Sequence, residues 1–213
     1  MRTVQELFSL KGKAAIVTGG SRGLGLQMAQ ALVEAAIARL GHVDILINNA
    51  GATWGAPAED YPLEAWAKVM NLNVRSVFLV SQAVGKLSMI PRRYGRIVNI
   101  ASIAGLAGNP PAAMQTLAYN TSKGAVVNFT RTLAGEWGRY GITVNAIAPG
   151  YVESEMNSDF FKTEAGRKVI QAMPRRRLGQ PYDLDGTLLL LTSNASDYLT
   201  GTVITVDDGQ TLL

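Results

Sequence analysis

The stretch Lys13–Gly25, KAAIVTGGSRGLG, decides the fold. Lys13–Thr18 is a short apolar run of the length of a buried strand, and glycines 19, 23 and 25 follow it. Beyond Gly25, the positions Met28, Ala29, Leu32, Val33, Ala36, Ile37 and Leu40 keep helical spacing. A strand that turns through glycines into a helix brings backbone N–H groups and the helix N-terminus up to a phosphate. The spacing G-x-x-x-G-x-G also suits an ordinary glycine-rich turn, so the motif alone leaves the ligand open.

Outward from this turn, strand-like and helical segments alternate. Asp44–Asn48 reads as a strand, and a helical run from about Leu63 to Leu87 follows, broken at Asn71-Leu72-Asn73. Arg96–Ala101 is a third strand, Ala118–Gly138 a long helix, Ile142–Ala148 a fourth strand and Val203–Val206 a last one. Strictly alternating strands and helices predict a parallel sheet covered on both faces. The expected class is α/β, a doubly wound parallel sheet forming one domain over residues 1–213.

Composition removes most other chemistries. The chain has 213 residues, 47% hydrophobic and 17% charged, enough apolar material for a core and too little charge for a disordered chain. Without cysteine there are no disulfides, thiolate metal sites or thiol catalysis, and with His42 alone neither a histidine metal cage nor a Ser-His-Asp triad is expected. No metal site is therefore predicted. Lys and Arg outnumber Asp and Glu 20 to 16, but the clusters Arg92-Arg93 and Arg175-Arg176-Arg177 are short and lack interleaved aromatics. They read as solvated arginines, so no nucleic-acid partner is expected. No apolar run reaches the roughly 18–20 residues of a membrane span, and the N-terminus MRTVQELFSLKGK lacks a secretory apolar core. The expectation is a cytoplasmic protein that meets no membrane.

Two further groups carry chemistry. Asn48-Asn49-Ala50-Gly51 ends a strand, where an open parallel sheet faces its ligand crevice, although the same residues also make a plain turn. Tyr119 and Lys123 stand four apart on a predicted helix, hence on one face. An ammonium beside a phenol favours phenolate and turns an inert tyrosine into a general acid/base. A lone Y-x-x-x-K is common by chance; Ser102, at a strand end and able to hydrogen-bond a carbonyl oxygen, lifts it.

Taken together and in order, Gly19/Gly23/Gly25, Asn48–Gly51, Asn73, Ser102, Tyr119/Lys123 and Pro149-Gly150 resemble the short-chain dehydrogenase/reductase family. The likeness runs from about Leu10 to Val206–Gly209 and leans toward 3-oxoacyl reductases and gluconate 5-dehydrogenase-like members. It implies a hydride transfer between a nicotinamide cofactor and a secondary alcohol or ketone. Tyr119 would then exchange the proton, Ser102 polarise the substrate oxygen, Lys123 hold the nicotinamide ribose, and Asn73 position a relay water. The resemblance implies a cofactor site of Gly19, Ser21, Arg22, Gly23, Leu24, Gly25, Asn48, Ala50, Gly51, Tyr119, Lys123, Pro149, Gly150, Val152 and Ser154. Arg22 suits a 2′-phosphate and tilts the expectation from NAD to NADP. Residues 151–178 would form a substrate lid, with Trp54, Tyr151, Met156, Phe160 and Phe161 at the cleft rim. Trp66, Trp137 and Phe129 read as core or subunit contacts and His42 as a surface residue, and a homotetramer is implied.

The chain departs from that pattern in two places. The segment Ile103–Ala118 is longer than the family's loop, with its extra residues around Asn109-Pro110-Pro111. Only 28 residues lie between Gly19 and Asn48, where the family has two further strand–helix units. Roughly 40–50 residues are lacking by ordinary element lengths. The lacking piece would hold the strand end that chooses NAD or NADP and the adenine wall. Keeping the first helix on its usual face would make the crossover to Asp44–Asn48 left-handed, against a rule obeyed in about 98% of cases. The expectation is a segment missing between residues 33 and 39, with a deliberate deletion as the other reading. The rival function is a catalytically inactive, dinucleotide-free interaction protein; the complete Asn73/Ser102/Tyr119/Lys123 set argues against it.

Overall fold

A computed structural model of the chain describes residues 3–19, 26–109, 114–153 and 158–212. Strands β1 (Ala15–Val17), β2 (Ile45–Asn48), β3 (Gly95–Ile100), β4 (Ile142–Pro149) and β5 (Val203–Val206) form one parallel sheet in that order. The register aligns Ile16 with Leu46, Leu46 with Ile97, and Ile97 with Val144. Around it lie α1 (Val4–Phe8), α2 (Leu26–Leu40), α3 (Leu63–Met70), α4 (Ser76–Val84), α5 (Ile90–Arg92), α6 (Leu117–Trp137), α7 (Ser158–Lys162), α8 (Glu164–Ala172) and α9 (Asp185–Thr192). The strand positions agree with the sequence to within one or two residues at each end.

Side chains alternate across the sheet, and that alternation builds two cores. Leu46, Ile97 and Val144 face Val33 of α2, Leu79 and Val84 of α4, and Leu133 of α6. Further along the same face, Ala101, Ala146 and Ala148 are small enough to let Val77, Val126 and Val127 close down on them. The opposite face presents Val98 and Ile147 to Leu191 of α9, with Leu184 and Leu188 beside it. Buried on both sides, β2, β3 and β4 can be apolar throughout. This is the doubly wound α/β domain expected.

The run from Leu63 does not break at Asn71-Leu72-Asn73. It passes from α3 through a π-helical turn, Asn71–Arg75, into α4, and through a second, Gly85–Met89, into α5. Such turns keep the backbone bonded while shifting the helix face by one residue. Trp137 and Phe129 pack at the margin of the core, as expected.

Helix α2 runs unbroken across residues 33–39. Its Val33 and Ile37 pack on the face occupied by α4 and α6, so β1–α2–β2, β2–α4–β3 and β3–α6–β4 step the same way on the same face and share one hand. The handedness conflict therefore disappears through a change of face. The last connection differs: it steps from β4 to β5 with α9 on the other face, and so has the opposite hand.

At the amino ends of the strands, His42 is more than a surface residue. Its Nε2 lies 2.9 Å from the buried Asp44 carboxylate, whose other oxygen accepts a 3.0 Å hydrogen bond from Arg92 Nη1. The Ala14 N–H donates to the same carboxylate at 3.0 Å, tying β1 to β2. Burial alone would raise the Asp44 pKa; the Ala14 N–H, Arg92 and His42 outweigh it, and the net shift is downward.

Candidate active site

At the carboxyl ends of β2, β3 and β4 a cleft of about 170 Å³ opens between Asn49, Gly51, Ile100, Ala101, Ser102, Tyr119, Lys123, Pro149 and Gly150. Ser102 stands two residues past the end of β3, and its Oγ accepts the Ala104 N–H at 3.2 Å, capping a short 3₁₀ turn, Ile103–Gly105. That turn lies against α6 because Gly105 has no side chain: a Cβ there would come within 2.4 Å of the Lys123 carbonyl carbon. Ser102 and Tyr119 both line the cleft that this close approach borders.

Lys123, one turn after Tyr119, is 5% exposed. Its Nζ donates a 2.7 Å hydrogen bond to the Ile100 carbonyl and lies 5.5 Å from the centre of the Tyr119 ring. Burial pushes the ammonium down to about 8. The phenol behaves differently from the simple expectation of a lowered pKa. Burial raises it, the Ser102 hydrogen bond opposes this, and neighbouring Tyr151 adds to the rise. The net is upward, because burial outweighs the hydrogen bond.

Asn73 sits in the first π turn, buried, beneath the cleft. Its Oδ1 accepts from the Ala52 N–H at 2.8 Å, and its Nδ2 donates to the Ala52 carbonyl at 2.9 Å and to Ser122 Oγ at 2.9 Å. Ser122 Oγ donates in turn to the Tyr119 carbonyl at 2.7 Å. This side chain therefore fastens the loop after β2 to α6, and it does not line the cleft.

Of the other residues singled out from the sequence, Gly51, Pro149 and Gly150 line the cleft. Asn48 does not: its Nδ2 donates to Ser81 Oγ at 3.0 Å and to Asn99 Oδ1 at 2.8 Å, inside the sheet's helical face. Ala50 is bound through its N–H to Thr18 Oγ1 at 3.2 Å, which ties the end of β1 to this turn. Val152 lies beyond Gly150 in a short bridge to Gly179. Gly19 precedes the turn with a φ of 112°. Ser21, Arg22, Gly23, Leu24, Gly25 and Ser154 lie outside the described residues, as does Met156. Asn49, part of the Asn48–Gly51 motif, lines the cleft as well; Ile100 and Ala101 were not singled out, and their position at the end of β3 was the available signal.

On the far side of the cleft, Tyr151 meets Phe161 edge-on at 5.2 Å, and Phe161 meets Phe160 at 5.1 Å, linking the end of β4 to α7. Near the other rim the Tyr61 hydroxyl donates to the Trp54 carbonyl at 3.0 Å. The longer loop is clasped to the start of α6 by Asn120 Nδ2, which donates to Asn109 Oδ1 at 2.9 Å. The arginine clusters pair locally: Arg175 with Asp208, and Arg177 with Asp183 at 2.8 Å. Among the described residues, no group of three or more His, Asp or Glu is placed to hold a metal ion, and no helix is long and apolar enough to cross a membrane.

A sheet with its cleft at the strands' carboxyl ends, and a Ser/Tyr/Lys group converging on it, define a class of nucleotide-dependent oxidoreductases. The family profile described as Enoyl-(Acyl carrier protein) reductase matches residues 26–211. The chain belongs to the short-chain dehydrogenase/reductase family. It is 34% identical to the 2-dehydro-3-deoxy-D-gluconate 5-dehydrogenase of Escherichia coli over 253 aligned positions, covering 97% of this chain and 98% of that one. It is 35% identical to the 3-oxoacyl-[acyl-carrier-protein] reductase of Synechocystis, covering 93% and 80%. Among solved structures it resembles a gluconate 5-dehydrogenase from Burkholderia cenocepacia in complex with NADP and tartrate, with TM-score 0.92 and 29% identity over 99% of this chain and 100% of that one. An alignment of 253 positions that takes in 97% of a 213-residue chain leaves more than forty of them without a residue here, the number the shortened interval between Gly19 and Asn48 lacks.

Proposed function

We propose that the chain is an NAD(P)-dependent oxidoreductase that interconverts a secondary alcohol and a ketone on a small polyhydroxylated acid, with 3-oxoacyl thioesters as the second substrate class. The observation that carries this reading is the convergence of Ser102, Tyr119 and Lys123 on one cleft. The relatives named for sugar-acid and 3-oxoacyl substrates support the two classes.

The residues fit a nicotinamide riboside. Gly51 lines the cleft beside Lys123, its Cβ position 3.6 Å from both Asn73 Oδ1 and Lys123 Nζ. Lys123 gives one N–H to Ile100 and has two more for ribose hydroxyls. What the bound nicotinamide supplies is a hydride. Tyr119 gives the proton to the substrate oxygen in reduction and takes it back in oxidation. Ser102 donates a hydrogen bond to that oxygen and so favours the charge that develops on it. Asn73 is a positioning residue in this scheme, through Ala52 and Ser122. The glycine turn Gly19–Gly25 takes the phosphates, with Arg22 favouring NADP, and Val152 and Ser154 hold the carboxamide.

A phenol whose pKa lies above its usual value is protonated at neutral pH, the state that ketone reduction requires. Alcohol oxidation needs it deprotonated and so speeds up on the alkaline side. The aromatic contacts of Tyr151, Phe160 and Phe161 support a substrate lid over residues 151–178 of a single domain. Exposed Phe78, Leu87 and Leu117 support a homotetramer, and the protein is read as cytoplasmic. The decisive experiment is Tyr119→Phe, which keeps the ring and removes the acid. Turnover of a ketone panel falls by about 10²–10⁴-fold while dinucleotide binding is retained. Near-normal turnover would overturn the mechanism.

A further inference from the structure

Among the described residues Lys123 is the one buried lysine. Lys11, Lys68, Lys86, Lys162 and Lys168 are exposed and Lys13 is half-buried, whereas Lys123 is 5% exposed. A lysine is almost never buried unless it is paired with an opposite charge. Here Nζ donates at 2.7 Å to the neutral Ile100 carbonyl, and among the described residues no carboxylate forms an ion pair with it. Burial without a compensating anion favours the neutral amine over the ammonium. With the ammonium pushed down to about 8, roughly half of Lys123 is free amine at pH 8, against roughly 0.3% of a lysine that keeps its ordinary 10.5. The Ile100 carbonyl occupies one N–H of that amine and leaves its lone pair unused.

Burial does not close the amine off. Lys123 lines the cleft of about 170 Å³, enough for a small molecule, and Nζ lies 3.6 Å from where a Cβ of Gly51 would stand on the same wall. Ser102 and Tyr119, both hydroxyl-bearing, line that cleft too. A desolvated lysine beside proton donors is the arrangement that forms Schiff bases with carbonyl compounds. We propose that Lys123 is also a nucleophile, condensing with small ketones and aldehydes that enter the cleft. Its nitrogen adds to the carbonyl carbon while the carbonyl oxygen takes up a proton, for which the cleft hydroxyls are the near source. The nitrogen then gives up a proton, the new hydroxyl takes one and leaves as water, and a C=N bond remains. One amine and one carbonyl give one imine and one water, and nothing is oxidised or reduced. This activity goes beyond the oxidoreductase reading, in which Lys123 holds a ribose and forms no covalent bond.

The test incubates the intact chain at pH 7.5 with acetone and cyanoborohydride, which reduces the imine to a stable secondary amine. Mass spectrometry of the lysine peptides follows the initial rates and needs no variant. Lys123 is expected to gain its isopropyl group at least about tenfold faster than any exposed lysine, a margin well inside its surplus of free amine. Lys123→Arg keeps a positive charge and forms no imine, so the fast adduct disappears while the exposed lysines keep their rates. Exposed lysines labelled first, or a rate at Lys123 no higher than theirs, would overturn the proposal.

Discussion

The two sides of the sheet are built to different standards. Strands β3 and β4 pair over six registered positions, lie between two layers of helices and deliver Ser102 and Gly150 to the cleft. Strand β1 pairs over three and leaves Ala15 and Val17 exposed, and the Thr18 hydroxyl after it accepts the Asn49 and Ala50 N–H groups that follow β2. The well-packed side thus brings Ser102, Tyr119 and Lys123 to the cleft, whereas the open side contributes none of the residues that line it. A reacting group has to be held to a fraction of an ångström, which a buried sandwich provides. Phosphate binding by backbone N–H groups asks less of the surrounding layers.

Tyr119→Phe probes the well-packed side most severely, and the next largest effects concern stability. Ile97→Ala, at 1% exposure between β2 and β4, is expected to lower the unfolding free energy by about 2–5 kcal/mol in urea titrations. A change below about 1 kcal/mol would mean that this side is not the rigid one.

Lys123 sharpens the contrast through pH. Folded, its ammonium releases its proton at about 8; unfolded, at its ordinary 10.5. Between those values the unfolded chain holds the extra proton, so this residue makes stability rise with pH across that window, by up to about 3 kcal/mol. Lys123→Met should remove the rise. Unfolding midpoints of both proteins at pH 7.5 and 9.5 measure it, and parallel curves would refute the buried charge. Asn99 lies below it in scale. It accepts from Asn48 and donates to Thr130 at 2.9 Å, fully buried. Asn99→Leu strands an amide N–H of Asn48 and is expected to lower stability by about 1–3 kcal/mol. The smallest effect belongs to the open edge. Val17→Ala should shift the unfolding free energy by no more than about 0.5 kcal/mol, and a loss as large as that of Ile97→Ala would erase the distinction.

Much of this was legible from residue order. Tyr119 and Lys123 share a helix face by spacing, and Ser102 ends a strand, so their convergence follows from local structure and parallel topology. The face taken by α2 was not legible: periodicity marks Val33 and Ile37 as an apolar stripe, yet the sheet side they meet depends on which neighbour β1 finds. The contrast between Asn48 and Asn49 is a matter of strand parity. Asn48 shares its side with Leu46 and turns inward, whereas Asn49, just past the strand, reaches the cleft. The upward shift of Tyr119 was hidden as well, since it arises from burial and from Tyr151, neither of which a four-residue spacing contains.

The π turn at Asn71–Arg75 has a bearing on how this helix tolerates insertions and deletions. A π turn houses one residue more than the α-helix around it, and each residue advances the winding by about 100°. Removing one residue from that turn would restore regular winding and leave everything downstream, from α4 to the start of β3, in its present phase. Asn73 alone would swing out of line with Ala52 and Ser122. The surplus residue is thus a private adjustment, a single notch of rotation that aims one amide without disturbing the helix that carries it.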